Sequence, residues 1–266
     1  MNAFRLVTLA GAMALLQACA SLPSPRADVD AVLKASGLDA QLDLLKKPLK
    51  TEKMDGPLAM IPDEWIAMVN TTIADTLKPE LIRAELKQNL EKNLSNGELN
   101  DVQKFYESET GHHVVAIESG HVDKTAPSYG GSNDRTTLDA LAKATGAGKA
   151  VSILAEHGLN DAVDIAFRNG CFGLDKVPFA SMLVGVVKKA ELASLRQSVN
   201  TGVRSQYARL LPAEQSAYLD FARSGAGQKF FAARTGVISN AAQQAGDALN
   251  APLGQRIREI CTQAGK

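Results

Sequence analysis

Three cysteines and four histidines are the side chains of this sequence whose type and spacing could do chemistry. Cys19 closes the run Leu16-Gln17-Ala18-Cys19. An apolar residue, a spacer and a small residue before a cysteine make a lipobox, in which the thiol is acylated and the chain is cut just ahead of it. Cys171 and Cys261 then remain as an even pair, in a compartment that can be oxidising, and are expected to bridge. Closing so long a loop stabilises a fold by roughly 4–5 kcal/mol in the chain-entropy treatment. Two separate buried thiols, behaving as small hydrophobes, are the alternative. Neither cysteine lies in a Cys-x-x-Cys spacing or beside a histidine, so a catalytic role is not expected.

Glu109, His113 and His121 are spaced by four and eight residues, which places them on one face if the segment is helical. Carboxylate and imidazole at such spacing can hold zinc. His112 points ~100° away from His113 on a helix and does not join the set. The plainer reading is a polar, solvated face beside Gly111, and no metal or other cofactor is expected. His157, just before Gly158, suits a helix C-terminus, where its cationic form meets the negative end of the dipole. Trp65, the single tryptophan, is expected to pack between helices. The sequence contains no Gly-x-Ser-x-Gly elbow, no phosphate-cradling glycine loop and no His-Glu-x-x-His pair.

The elements that would position these groups begin with the leader. Arg5 precedes an uncharged run from Leu6 to Leu16, which is shorter than the ~20 apolar residues that span a bilayer. Residues 1–18 are therefore expected to be a cleaved signal and residues 19–27 a lipidated tether. Several acyl chains at ~0.8 kcal/mol per buried methylene give stable anchoring. Ala20, in place of an aspartate, favours the outer membrane, facing the periplasm, over retention at the inner one. The chain carries 29 basic and 29 acidic side chains, and losing the leader with Arg5 leaves one negative charge in excess. Such a balance argues against a nucleic-acid partner, which calls for a basic stripe.

An internal repeat organises the rest. Asp30-Ala-Val-Leu-Lys-Ala-Ser-Gly37 matches Asp139-Ala-Leu-Ala-Lys-Ala-Thr-Gly146 at an offset of 109. Leu94, Glu98, Phe105, Ser108, Gly111 and Ala116 recur as Leu210, Glu214, Phe221, Ser224, Gly227 and Ala232 at an offset of 116. Repeat 1 is expected over 28–125 and repeat 2, with a C-terminal helix, over 137–266, joined by a Gly- and Pro-bearing linker at 126–136. Within the first, Pro62 and Pro79 suit first helical turns. Ile82, Leu86, Leu90 and Leu94 recur every four residues and predict one buried face. Ser95-Asn-Gly-Glu98 has the form of a capping box, followed by Leu99, Val102, Phe105 and Tyr106 as a core stripe. In the second, Leu210-Leu-Pro-Ala-Glu214 opens the equivalent helix, with Tyr218 and Phe221 on its apolar side. Gly111 and Gly227 are expected at equivalent sharp connections between helices. The fold class expected is all-α, as two tandem helical bundles of similar topology.

Phe105-Tyr-Glu-Ser-Glu-Thr-Gly-His-His113 and Phe221-Ala-Arg-Ser-Gly-Ala-Gly-Gln-Lys229 carry a resemblance. Each copy resembles the bacterial family catalogued as domain of unknown function 2059. Its pattern joins an early Leu-x-x-x-x-Gly helix to an acidic-capped helix ending in Phe-Tyr-x-Ser-x-x-Gly-x-Lys. The first copy departs from it at His112-His113, and the second lacks the tyrosine. The resemblance implies an exported, all-helical protein and brings no catalytic residues.

Three roles are compatible with these features. The favoured one is a non-enzymatic envelope lipoprotein that binds or scaffolds an envelope protein. A carrier of an apolar small molecule would need a cavity, for which Phe179, Met182, Leu183, Val186 and Val187 are the candidates against ordinary core packing. An envelope hydrolase would need convergent carboxylates or a nucleophile–base pair and is ranked last.

Overall fold

A computed structural model of the chain describes residues 28–44, 63–120, 135–149, 152–153, 156 and 180–264. The described residues are helical apart from short connections, and no strand occurs among them. The helices are α1 (Val29–Ala35), α2 (Leu38–Leu44), α3 (Asp63–Thr76), α4 (Pro79–Asn93) and α5 (Asn96–Tyr106). They continue as α6 (Glu109–Glu118), α7 (Arg135–Thr145), α8 (Ala180–Tyr207), α9 (Pro212–Arg223) and α10 (Gly225–Ala264).

Local chemistry sets the helix starts. Pro79 and Pro212 each occupy the first turn of a helix, where the missing N–H costs nothing. Ser95 caps α5 in the expected box: its hydroxyl accepts from the Glu98 N–H at 3.3 Å, and Glu98 Oε2 accepts from the Ser95 N–H at 2.8 Å. At α9 the Glu214 carboxylate accepts from the Leu211 N–H at the same 2.8 Å. Ser108 and Ser224 open α6 and α10, their hydroxyls accepting from Gly111 and Gly227 N–H at 3.1 and 3.0 Å. The sharp connections thus fall at the serines. Gly111 and Gly227 lie three residues on, in the first turn of the next helix, because the preceding helix crosses there. A Cβ on Gly111 would sit 2.1 Å from the Phe105 carbonyl oxygen, and one on Gly227 would sit 1.9 Å from that of Phe221. Gly37 and Gly146 follow the ends of α1 and α7 with φ of +67° and +66°, the left-handed conformation that ends helices.

Two clusters of helices pack against each other. In the N-terminal one α1 lies on α4 and α5, and α5 turns back on α6; in the C-terminal one α7 lies on α8 and α9, and α9 turns back on α10. Between them, α10 runs along α3, α4 and α5, while α8 and α9 meet α6. Ile82, Leu86 and Leu90 of α4 are buried as their spacing predicts, with Leu94 just beyond. Leu99, Val102 and Tyr106 form the inner stripe of α5. Asp30 pairs with Arg83 at 2.9 Å and with Lys87, and Asp139 pairs with Arg204, so one aspartate ties each early helix to a later one. These exposed pairs orient the helices more than they stabilise them.

Several expectations lie outside the described residues: the signal, the tether with Cys19, His121, residues 126–134 of the linker, His157, Cys171 and Phe179. Trp65, Met182, Leu183, Val186, Val187 and Cys261 fall on helices, but their side chains are also outside the described set. The helix α7 begins at Arg135, two residues before the expected start of the second repeat. Among the described residues no helix is long and apolar enough to cross a membrane.

Candidate functional site

The centre of the molecule holds a charged pair. Glu118, in the last turn of α6, faces Arg234 of α10, with Nη1 to Oε2 at 3.1 Å. Their side chains are only 5% and 13% exposed, so the charges compensate each other in a medium where either alone would be costly. Three more donors saturate the carboxylate: the Tyr218 hydroxyl at 2.7 Å, the Tyr207 hydroxyl at 3.1 Å and the Gln41 amide at 3.0 Å. The Thr145 hydroxyl lies 3.0 Å from that of Tyr207, and the Arg234 guanidinium stands over the Phe231 ring at 5.8 Å. Burial first, and then the Glu118 charge, hold the Tyr207 and Tyr218 phenols well above the ordinary range, so both remain protonated donors. Burial pulls the Arg234 guanidinium down, but the Glu118 charge outweighs it and the net shift is upward.

A cavity of about 380 Å³ opens beside this pair. Glu118, Arg234 and Tyr207 form its polar wall together with Gln41 and Gln206, and Ala147, Gly148, Val199, Gly202 and Val203 form the rest. A smaller space of about 100 Å³, bounded by Thr145, Thr235 and Ser239, shares Gly148 and Arg234 with it. The lining therefore combines hydrogen-bonding groups of zero net charge with small apolar side chains. Such a surface is chemically complementary to a group that is itself part polar and part apolar.

Around the pair, the two clusters meet through aromatic rings, an outer ion pair and an outer histidine–carboxylate hydrogen bond. Phe105 and Phe221 stack with centroids 4.0 Å apart and planes 4° off parallel. Tyr106, Tyr218, Phe230 and Phe231 surround them, mostly edge-on. On one side Glu98 pairs with Lys229 at 2.7 Å, and on the other Glu214 pairs with His113 at 2.9 Å. The Glu98 carboxyl is lowered to about 2, by Lys229 first and by the Ser95 N–H and hydroxyl after it.

His113 is thus not on the solvated face the sequence suggested. It is half-buried, and its imidazole is engaged by Glu214 from the other cluster. Glu109 is the first residue of α6 and is exposed, as is His112. His121, the third candidate ligand, lies outside the described residues. Among the described residues no three histidine, cysteine or acidic side chains stand close enough to hold a metal ion. Glu118, Arg234, Tyr207 and Gln41 were not singled out from sequence. They come from four helices, and a buried pair separated by more than a hundred residues leaves no local spacing to read.

The comparisons with known proteins add one finding. Residues 80–126 match the family described as "Uncharacterized protein conserved in bacteria (DUF2059)". The matched stretch holds α4, α5 and α6, and with them the capping box, Gly111 and Glu118. No curated protein and no solved structure matches the chain.

Proposed function

We propose that this chain is a lipid-anchored module of the bacterial envelope that binds a protein partner and does not turn over a substrate. In this reading Cys19 carries the acyl chains, residues 19–27 hold the body off the outer membrane on its periplasmic side, and Cys171 bridges to Cys261. The body consists of two repeats of one helical unit. The observation that carries the binding role is the cavity beside Glu118 and Arg234, whose polar wall and small apolar residues suit a side chain or short segment of another protein. Gly202 leaves backbone open in its lining, where a partner's main chain can approach.

The test is crosslinking in intact membranes, then purification through a C-terminal tag and mass spectrometry. A reproducible protein partner is expected, and it should be lost from a Gly202→Leu variant. A Cβ at Gly202 meets nothing within 4 Å, so the substitution leaves the helix intact while narrowing the cavity mouth. Retention of the same partner by that variant would remove the cavity from the proposal. The second reading is a small-molecule carrier, favoured by a volume that falls in the usual range of ligand pockets. Native mass spectrometry showing a co-purifying ligand, with no protein partner, would put that reading first.

A further inference from the structure

Several of the contacts between the two clusters obey one rule. Under the two-repeat reading, residues 116 apart are equivalent. Phe105 then stacks on its own equivalent, Phe221, and Glu118 pairs with its own equivalent, Arg234. The two outer polar contacts exchange the same two positions. Glu98 meets Lys229 in one, while Glu214, the equivalent of Glu98, meets His113, the equivalent of Lys229, in the other. At the level of helices, α5 packs on α10 as α9 packs on α6, and these too are exchanged equivalents. Residue i meeting j′ while j meets i′, with some residues meeting their own counterparts, is the signature of a two-fold, isologous interface. Repeats stacked in a row, as in a solenoid, would instead set one face of a unit against a different face of the next.

We propose that α5–α6 and α9–α10 form an isologous dimer interface carried within one chain, and that it holds without the covalent link between the repeats. The partner that the first repeat's face fits is therefore a second-repeat face. Glu118 and Arg234 make the fit directional. First repeat against first repeat would bury two carboxylates facing each other, and second against second would bury two guanidinium groups, whereas the mixed pairing neutralises both. The rings of Phe105 and Phe221 stay identical on the axis because stacking works equally well in either direction.

The proposal rests on the two-repeat reading, and two measurements on the full chain separate them. The first exchanges the equivalents, His113→Lys with Lys229→His, and compares thermal midpoints at mildly acidic pH, where an ordinary imidazole is charged. The midpoint is expected within about 2 °C of the parent. A control that reverses both clamps while leaving the capping glutamates in place, His113→Glu with Lys229→Glu, should fall by about 4 °C or more. The second places a protease site within residues 126–134, cuts the folded protein and runs it on gel filtration without denaturant. The nicked chain is expected to elute as one particle with both fragments in equal amount. An exchange variant as destabilised as the control overturns the equivalence of the repeats, and the proposal with it. A stable exchange variant whose nicked fragments separate leaves the repeats standing and overturns the self-sufficient interface alone.

Discussion

Replacing Arg234 by methionine is the sharpest perturbation of the central pair. The substitution roughly keeps the length and apolar stem of the side chain while removing its charge, so the packing of α10 changes little. What remains is Glu118, 5% exposed, with the Tyr207, Tyr218 and Gln41 donors but no cation. Breaking a buried pair in this way typically costs 3–5 kcal/mol, because one charge stays uncompensated. For a chain of this size each kcal/mol shifts the midpoint by about 2–4 °C, so the midpoint should drop by roughly 6–20 °C. Glu118→Met should cost at least as much, since it strands the guanidinium and removes the acceptor of two buried phenols. The double substitution should cost clearly less than the two single effects added together. Circular dichroism melts of the four proteins in moderate salt provide the cycle. A drop below about 2 °C for Arg234→Met, or additive single effects, would refute the view that this pair is buried and mutually compensating.

Two further predictions use the same melts. Alanine at Gly227 should cost about 3 kcal/mol, because its Cβ meets the Phe221 carbonyl oxygen at 1.9 Å and backbone cannot swing aside. Alanine at Gly236 in the same helix, where a Cβ meets nothing within 4 Å, should instead stabilise by about 0.5–1 kcal/mol. Equal effects at the two sites would sink the close-crossing argument. The Glu98 carboxyl, lowered from the usual 4.5 to about 2, contributes stability that is complete above the unfolded value and is lost as pH falls from 4.5 towards 2. Lys229→Met should flatten the stability profile in that window, and an unchanged slope there would show that Lys229 does not hold the carboxyl down.

Much of the helical framework was legible in the sequence because its causes are local. The four-residue recurrence of Ile82, Leu86, Leu90 and Leu94, the Ser95–Glu98 box and Pro212 ahead of Glu214 each act within one or two turns. The α10 helix was harder to read, since it continues through Pro252, a residue that by itself predicts a break. Glu98 was recognised as a cap, yet its second role towards Lys229 depends on a helix more than a hundred residues away. The central pair was hidden for a different reason. If the halves are related by the two-fold axis proposed above, a residue placed against its own counterpart favours opposite charges there, and similarity between the halves does not reveal it. On that reading Glu118 and Arg234 are dissimilar because they face each other.

Under the two-repeat reading, the position of the cavity follows from where the two halves differ. The aspartates that tie the early helices, Asp30 to Lys87 and Asp139 to Arg204, align α4 with α8 at an offset of 117. Ile82, Leu86 and Leu90 then correspond to Val199, Val203 and Tyr207, and Leu38 corresponds to Ala147 at the earlier offset of 109. In the first repeat Leu38, Ile82, Leu86 and Leu90 are all buried in the core. In the second, three of the four positions carry smaller side chains, and the walls of the cavity are built from them: Ala147, Val199 and Val203. Writing the first repeat's residues back, Ala147→Leu with Val203→Leu, should therefore fill the space with side chains that this fold already accommodates elsewhere. Each added methylene that leaves water contributes about 0.8 kcal/mol, so the midpoint should hold or rise. Capture of a partner should fall at least tenfold, since the volume it would enter is taken. A variant that melts no lower than the parent and still captures the partner in full would show that the cavity is a by-product of divergence and that recognition lies on another face.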